Sequence, residues 1–131
     1  MVVPRFVRQA LEGSPITVYG DGEQTRSFGY VGDVVRGTIA LLDAKEGAYG
    51  EVVNLGNAQE VTIRQLAERI IERTNSRSTI ITIPYDEAYA AGFDEMRRRV
   101  PDLQKAKRLV GYEPTVGLDE IIDRVAASLR D

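Results

Sequence analysis

The sequence contains neither cysteine nor histidine. Without cysteine the chain forms no disulfide, no thiolate nucleophile and no sulfur-based metal site. Without histidine it lacks the side chain that most often serves as a general base or a metal ligand. Carboxylates, hydroxyls and arginines remain, and they form no self-contained catalytic constellation in the sequence. We therefore predict no catalytic residue and no metal site in this chain.

Long apolar runs and a surplus of positive charge are also missing. No stretch approaches the roughly 20 apolar residues that span a bilayer, and no signal-peptide pattern begins the chain. The 17 lysines and arginines are outnumbered by 20 acidic residues, which gives a net charge of −3. General nucleic-acid binding needs the opposite balance. The sequence predicts no membrane or nucleic-acid partner, and a cytoplasmic location is the default.

The residues that are present predict a mixed α/β fold with short strands. The chain has 131 residues, of which 43% are hydrophobic and 28% charged, values typical of one globular domain. Apolar residues at helical spacing predict a first helix closed by Gly13 and a last helix over residues 118–129. Thr62 and Gln65 form a capping box at the start of another helix. Strands are predicted at residues 16–19, 27–31, 51–55 and 79–83.

Two aspartates are predicted to cap further helices. Asp33 stands where the N-cap of a helix to about residue 43 belongs, and Asp102 precedes a short helix stopped by Gly111. Residues 84–92 are predicted to be irregular or briefly helical. The apolar side of the helix after Asp33 is predicted to face inward, through Val34, Val35, Thr38, Leu41 and Leu42.

Arginine is the residue type that points to a ligand. Arg26 lies in a polar run between two apolar segments, where its guanidinium can bind a phosphate in a bidentate way or form a surface ion pair with Glu23 or Asp21. A second cluster spans residues 97–99, and at most one or two of its arginines can serve one ligand. Asp102 follows it and can accept a hydrogen bond from a sugar hydroxyl or cap the next helix.

The chain resembles the C-terminal part of extended short-chain dehydrogenase/reductases that act on nucleotide sugars, namely UDP-glucose 4-epimerases, dTDP-glucose dehydratases and UDP-glucuronate decarboxylases. Six segments carry the resemblance in the family's order and together cover nearly the whole chain. They are VVPRFVRQAL (residues 2–11), ITVYGDGEQTRSFGYVGDVV (16–35), EVVNLGN (51–57), VTIRQLAERI (61–70), RRVPDLQKAKRLVGYEP (98–114) and LDEII (118–122).

The resemblance implies a role for each matching position. It puts Thr17 and Tyr19 beside the nucleobase, Arg26 and Arg99 on the diphosphate, and Asp102 on the ribose of a nucleotide-sugar, which is expected to be a UDP-sugar. Two arginines from separate segments can neutralise a diphosphate that one alone cannot. Residues 1–131 would then form one nucleotide-sugar-binding domain, truncated at its N-terminus.

The departures from the family concern the cofactor and the catalytic pair. The sequence has no G-x-x-G-x-x-G fingerprint, and no tyrosine is followed four residues later by a lysine. NAD is therefore expected only in a missing N-terminal Rossmann domain, and this chain is not expected to be catalytic by itself. The alternative is a non-catalytic paralogue that acts through protein contacts or self-association, so the expected partners are a nucleotide-sugar with either a Rossmann-domain chain or a second copy.

Overall fold

In the computed structural model, which describes residues 1–85 and 96–130, helices and short strands are interspersed along the chain. The predicted mixed α/β class is confirmed. Within the described ranges the helices are α1 (Val2–Glu12), α2 (Val31–Asp43), α3 (Ile63–Thr74), α4 (Gln104–Val110) and α5 (Leu118–Arg130), with a 3₁₀ turn at Lys45–Ala48. The strands are β1 (Ile16–Tyr19), β2 (Thr25–Ser27), β3 (Glu60–Thr62), β4 (Ile80–Ile83) and β5 (Arg98–Arg99).

The chain folds as two units, and the first contains Met1–Arg26, Val61–Arg99 and Asp119–Asp131. Its strands β1 and β4 are parallel, with Ile16 opposite Ile80 and Tyr19 opposite Ile83. Ile16 and Val18 alternate with half-buried residues along β1, as expected for a strand with one face on a core. The largest fully buried apolar side chains of this unit come from β1, α1, α3 and α5: Phe6, Val7, Ile16, Val18, Leu66, Ile70 and Ile122.

The helix ends of the first unit follow the sequence signals. Gly13 ends α1 in the left-handed conformation, with φ of 69°, and its N–H bonds back to Ala10 O. Thr62 accepts from the Gln65 N–H at 3.0 Å, while Gln65 Oε1 accepts from the Thr62 N–H at 2.9 Å. The predicted capping box is therefore confirmed, and it fixes where α3 begins.

The second unit, Ser27–Glu60 and Val100–Leu118, is organised around Tyr112. The buried Tyr112 hydroxyl donates to Gly56 O at 2.8 Å and accepts from the Gly56 N–H at 3.1 Å. Gly37 of α2 lies against the same ring, where a Cβ would come within 2.7 Å of a ring carbon. A residue without a side chain is required at that point of α2.

Asp33 does not cap α2, contrary to the prediction. It lies inside the first turn, is 1% exposed, and the helix has no side-chain cap. Its carboxylate accepts from the Thr115 N–H (2.9 Å) and hydroxyl (2.7 Å), the Val116 N–H (3.1 Å) and Arg36 Nη1 (2.7 Å). These four donors satisfy the carboxylate better than the helix end would, so the aspartate joins distant parts of the unit.

Two predicted strands are wrong in position or in type. The segment predicted at 27–31 forms its strand earlier, as β2, and residue 31 already starts α2. Residues 51–55 form no strand, and Val52 is 85% exposed. A strand needs a hydrogen-bonding neighbour, and within the described ranges no strand pairs with this segment.

The predicted inward face of α2 is also wrong. Thr38 is exposed and Val34 and Leu41 are only partly buried. The large apolar residues on the exposed side of α2 share one face, at spacings of four, four and three residues. They are Val31 (68% exposed), Val35 (50%), Ile39 (54%) and Leu42 (76%), which we call the α2 apolar face.

Two remaining predictions concern residues 84–92 and membrane-spanning helices. The segment at residues 84–92 lies mostly outside them, because residues 86–95 are not described. In the part of the chain that is described, no helix has both the length and the apolar composition needed to cross a membrane.

Candidate functional site

Two of the predicted site residues, Arg26 and Arg99, lie directly opposite each other on neighbouring strands. β2 and β5 run parallel, with Thr25 opposite Arg98 and Arg26 opposite Arg99. Neighbouring strands lie about 4.8 Å apart and residues in register extend from the same face, so one face carries both guanidinium groups. Arg98 and Arg99 of the 97–99 cluster thus form a strand, and alternation sends Arg98 to the opposite face.

The pair combines a half-buried arginine, Arg26, with an exposed one, Arg99. The pKa of Arg26 is lowered first by burial and then by the positive charge of Arg99, with Tyr85 acting in the opposite direction. A guanidinium nevertheless keeps its charge at neutral pH. Two like charges held side by side raise the local potential, and an anion bound between them would lower the energy of both.

The acidic residues of the neighbouring turn bind other arginines. Asp21 Oδ2 accepts from Arg97 Nη1 at 2.7 Å, and this contact is the main reason that the pKa of Asp21 lies below its usual value. Glu23 lies 3.7 Å from Arg64 Nε in a looser, exposed pair. Asp21 and Glu23, the two carboxylates that the sequence offers as surface partners of Arg26, thus contact Arg97 and Arg64.

A second pair of predicted residues, Thr17 and Tyr19, lies on one face of β1. Both are half-buried, whereas Val18 between them is fully buried on the other face. The loop that follows ties β1 to β2, because Gln24 Nε2 donates to Tyr19 O at 3.1 Å. The Gln24 main-chain carbonyl accepts from the Ile63 N–H at the start of α3. Tyr19 and Arg26 thus belong to one scaffold within the first unit.

Two residues of α1 that the sequence did not single out hold this face of β1. Arg5 Nη2 donates to Thr17 O at 3.1 Å, and its guanidinium carbon lies 4.4 Å from the centre of the Tyr19 ring. Gln9 bonds to both the main chain and the hydroxyl of Thr17. The available signal was two polar residues one helical turn apart beside the apolar stripe of α1.

Asp102, the residue expected on the ribose, belongs to the second unit and precedes α4. Its side chain is exposed, and Oδ1 accepts from the Gln104 N–H at 2.9 Å. The N-cap position itself is Leu103, so Asp102 acts one residue earlier than predicted. A carboxylate has about four acceptor positions, so this bond leaves capacity for a second donor.

The described residues bring no group of acidic side chains together around a possible metal ion. Across residues 1–85 and 96–130, no three acidic side chains converge in a way that could hold one. The geometry instead puts Arg26 opposite Arg99 on β2 and β5, and it puts Thr17 and Tyr19 on one face of β1.

The fold is similar to part of the extended short-chain dehydrogenase/reductases. The chain is similar to the solved UDP-glucuronic acid 4-epimerase from Bacillus cereus, with a TM-score of 0.87, 30% identity, and coverage of 99% of this chain and 40% of that one. The family model described as GDP-mannose 4,6 dehydratase matches residues 1–125. The chain belongs to this family of nucleotide-sugar epimerases and dehydratases, as the sequence resemblance predicted.

Curated relatives include decarboxylases. The chain is 42% identical to UDP-N-acetyl-alpha-D-glucosaminuronate decarboxylase of Bacillus cytotoxicus over 119 residues, which are 91% of this chain and 36% of the relative. It is 42% identical to UDP-glucuronic acid decarboxylase 1 of Danio rerio over 123 residues, which are 94% of this chain and 27% of the relative. The chain thus spans about a quarter to two fifths of the length of the proteins it matches.

Proposed function

We propose that this chain binds the diphosphate of a UDP-sugar between Arg26 and Arg99, as the substrate-binding portion of an NAD-dependent sugar epimerase, dehydratase or decarboxylase. The observation that carries the proposal is the register of β2 and β5, which puts the two arginines opposite each other. Each planar guanidinium can bind one phosphate through paired hydrogen bonds. Two guanidinium groups on adjacent strands can neutralise both phosphates of a diphosphate, whereas a single arginine would neutralise only half of its charge.

The rest of the nucleotide is assigned by family position. Thr17 and Tyr19 would contact the base, and Asp102 would accept from a ribose hydroxyl. The shared face of Thr17 and Tyr19 supports the first assignment, since an aromatic ring beside a hydroxyl suits a flat polar base. Uracil is the base proposed because the relatives named above act, by their names, on UDP-sugars.

The redox chemistry of the whole enzyme is proposed to reside elsewhere. This chain lacks the dinucleotide fingerprint and the Tyr-x-x-x-Lys pair, so no step of hydride or proton transfer is assigned to its residues. Its part in the reaction would be to bind and orient the nucleotide, which fixes the attached sugar for another domain to act on. A partner that carries the dinucleotide-binding fold completes this proposal.

Calorimetric titration with UDP and UDP-glucuronic acid tests the site. We expect saturable binding by the wild-type chain. Arg26→Gln and Arg99→Gln should each weaken UDP binding about 10- to 100-fold, because each removes hydrogen bonds to a charged group. Arg69→Gln is the matched control, since it removes one arginine charge from α3, where the half-buried Arg69 pairs with Asp119, and it should leave the affinity within about twofold. A folded chain that gives no heat at millimolar UDP would contradict the proposal.

A second candidate is favoured by the α2 apolar face. Four large apolar side chains on one side of a helix, each at least half exposed, form a surface that soluble monomers seldom leave uncovered. The alternative function is a non-catalytic module that associates with a second copy of itself through this face. Sedimentation velocity over a concentration series decides it, because self-association makes the sedimentation coefficient rise with concentration.

A further inference from the structure

The outer edge of β1 is completed by side chains of α1. On its inner edge β1 pairs with β4, where the Ile16 N–H donates to Thr79 O at 2.8 Å. The main-chain groups of Thr17 point the other way, as strand alternation requires. There the Thr17 N–H donates to Gln9 Oε1 at 3.2 Å, and Thr17 O accepts from Arg5 Nη2 at 3.1 Å. Side chains of α1 thus take the place of a neighbouring strand.

Arg5 contacts both residues of β1 that are proposed to meet the base. One hydrogen bond fixes the Thr17 carbonyl, and the guanidinium lies over the Tyr19 ring at 4.4 Å. A guanidinium at this distance is attracted to the electron-rich face of the ring. The same group lies 5.2 Å from the centre of the Phe6 ring, so it is held between two aromatic side chains.

The position of Arg5 costs more free energy than a contact that only joins α1 to β1 would require. Arg5 is half-buried, and within the described residues its Nε atom is buried without a hydrogen-bond partner. An apolar side chain joining α1 to β1 would avoid both the desolvation of a charge and the unsatisfied N–H. The presence of arginine at this point therefore favours a role beyond packing.

We infer that Arg5 is a positioning residue for the nucleobase, an inference that rests on the proposed UDP-sugar site. Arg5 occupies one of the two lone pairs of the Thr17 carbonyl and leaves the other for a donor such as the N–H of a pyrimidine base. It also holds the Tyr19 ring in one orientation before the ligand arrives. Such preorganisation raises affinity because less freedom is lost on binding.

The test compares a ligand that has a base with one that has none. The dissociation constants of UDP and of inorganic pyrophosphate are measured by NMR titration for wild type, Arg5→Leu and Arg8→Leu. Arg8 is exposed on the same helix, so its variant removes an equal charge. We expect Arg5→Leu to weaken UDP binding about tenfold, since it removes a charge-assisted hydrogen bond and a cation–π contact, and to change pyrophosphate binding less than about twofold. Arg8→Leu should change neither.

Each outcome decides the inference. Equal UDP affinity for Arg5→Leu and wild type overturns the role of Arg5 and leaves the proposed function standing, because the wild type still binds UDP. An equal loss for UDP and pyrophosphate also overturns it, since that is the signature of general damage to the fold. Should Arg5→Leu not fold, Arg5→Lys keeps the charge and the stem but not the planar fork, and it should still lose affinity for UDP alone. A wild-type chain that does not bind UDP overturns both proposals.

Discussion

Asp33 carries a negative charge at a position that is 1% exposed, and hydrogen bonds from Thr115, Val116 and Arg36 surround it. Burial alone would raise the pKa of this carboxyl. The hydrogen bonds from Thr115, Val116 and Arg36 outweigh burial and hold the pKa at about 2, below the ordinary value of 3.8. The folded protein therefore stabilises the ionised carboxylate of Asp33 relative to the unfolded chain.

The lowered pKa of Asp33 predicts that the free energy of unfolding depends on pH. Because the folded pKa is depressed, the ionised Asp33 contributes about 2 kcal/mol at pH values above about 4, and the contribution is lost as pH falls towards 2. Asp33→Asn should remove it, so the two proteins should differ in free energy of unfolding at pH 6, and the difference should shrink as pH falls from about 4 towards 2. Urea unfolding at several pH values measures this. Asp43→Asn, at the exposed end of α2, is the control, and a pH-independent difference for Asp33→Asn would contradict the account.

Single residues also show how far the sequence can be read. The sequence leaves Arg26 between an anion site and a surface ion pair, because local composition does not reveal which residues become its neighbours. Only the pairing of β2 with β5 brings Arg99 beside it. For Asp33 the local pattern was misleading, since the donors that hold it lie at residues 115–116, far along the chain. Family order identified the arginines, but nothing in a short window identified these donors.

A complete capping box specifies the start of α3. The Thr62 hydroxyl accepts from the Gln65 main-chain N–H, and the Gln65 side chain accepts from the Thr62 main-chain N–H. Both N–H groups lie at the N-terminal end of the helix, where no preceding turn supplies a carbonyl acceptor. Thr62→Ala should lower the free energy of unfolding by about 1 kcal/mol. Thr62→Ser keeps the hydroxyl and should remain within a few tenths of a kcal/mol of wild type. Thermal or urea unfolding measures both, and equal losses in the two variants would show that the hydroxyl is not the cause.

Elements were predictable in proportion to how local their causes are. α1 and α3 have an apolar stripe and an end signal in consecutive residues, and both form as predicted. Residues 51–55 have strand-like composition but no pairing strand within the described ranges, so the apolar pattern alone was insufficient. The periodicity of α2 gave the helix correctly but could not tell which side would be covered, because that depends on a partner surface.

For the molecule as a whole, that uncovered side of α2 predicts self-association. Val31, Val35, Ile39 and Leu42 are 50–76% exposed, and burying one such side chain contributes about 1.5 kcal/mol or more. A symmetric contact between two copies would bury the face twice, which makes a dimer the expected product. Sedimentation velocity over a concentration series should show a monomer–dimer equilibrium for the 131-residue chain.

Two variants connect that equilibrium to the α2 apolar face. Ile39→Glu introduces a charge in the middle of this face, where dimerisation would have to desolvate it, so we expect this variant to remain monomeric. Ala127→Glu adds the same charge at an exposed position of a different helix, α5, and should leave the equilibrium unchanged. A wild-type chain that stays monomeric at every concentration would count against the self-associating module, and it would leave the UDP-sugar site as the function to pursue.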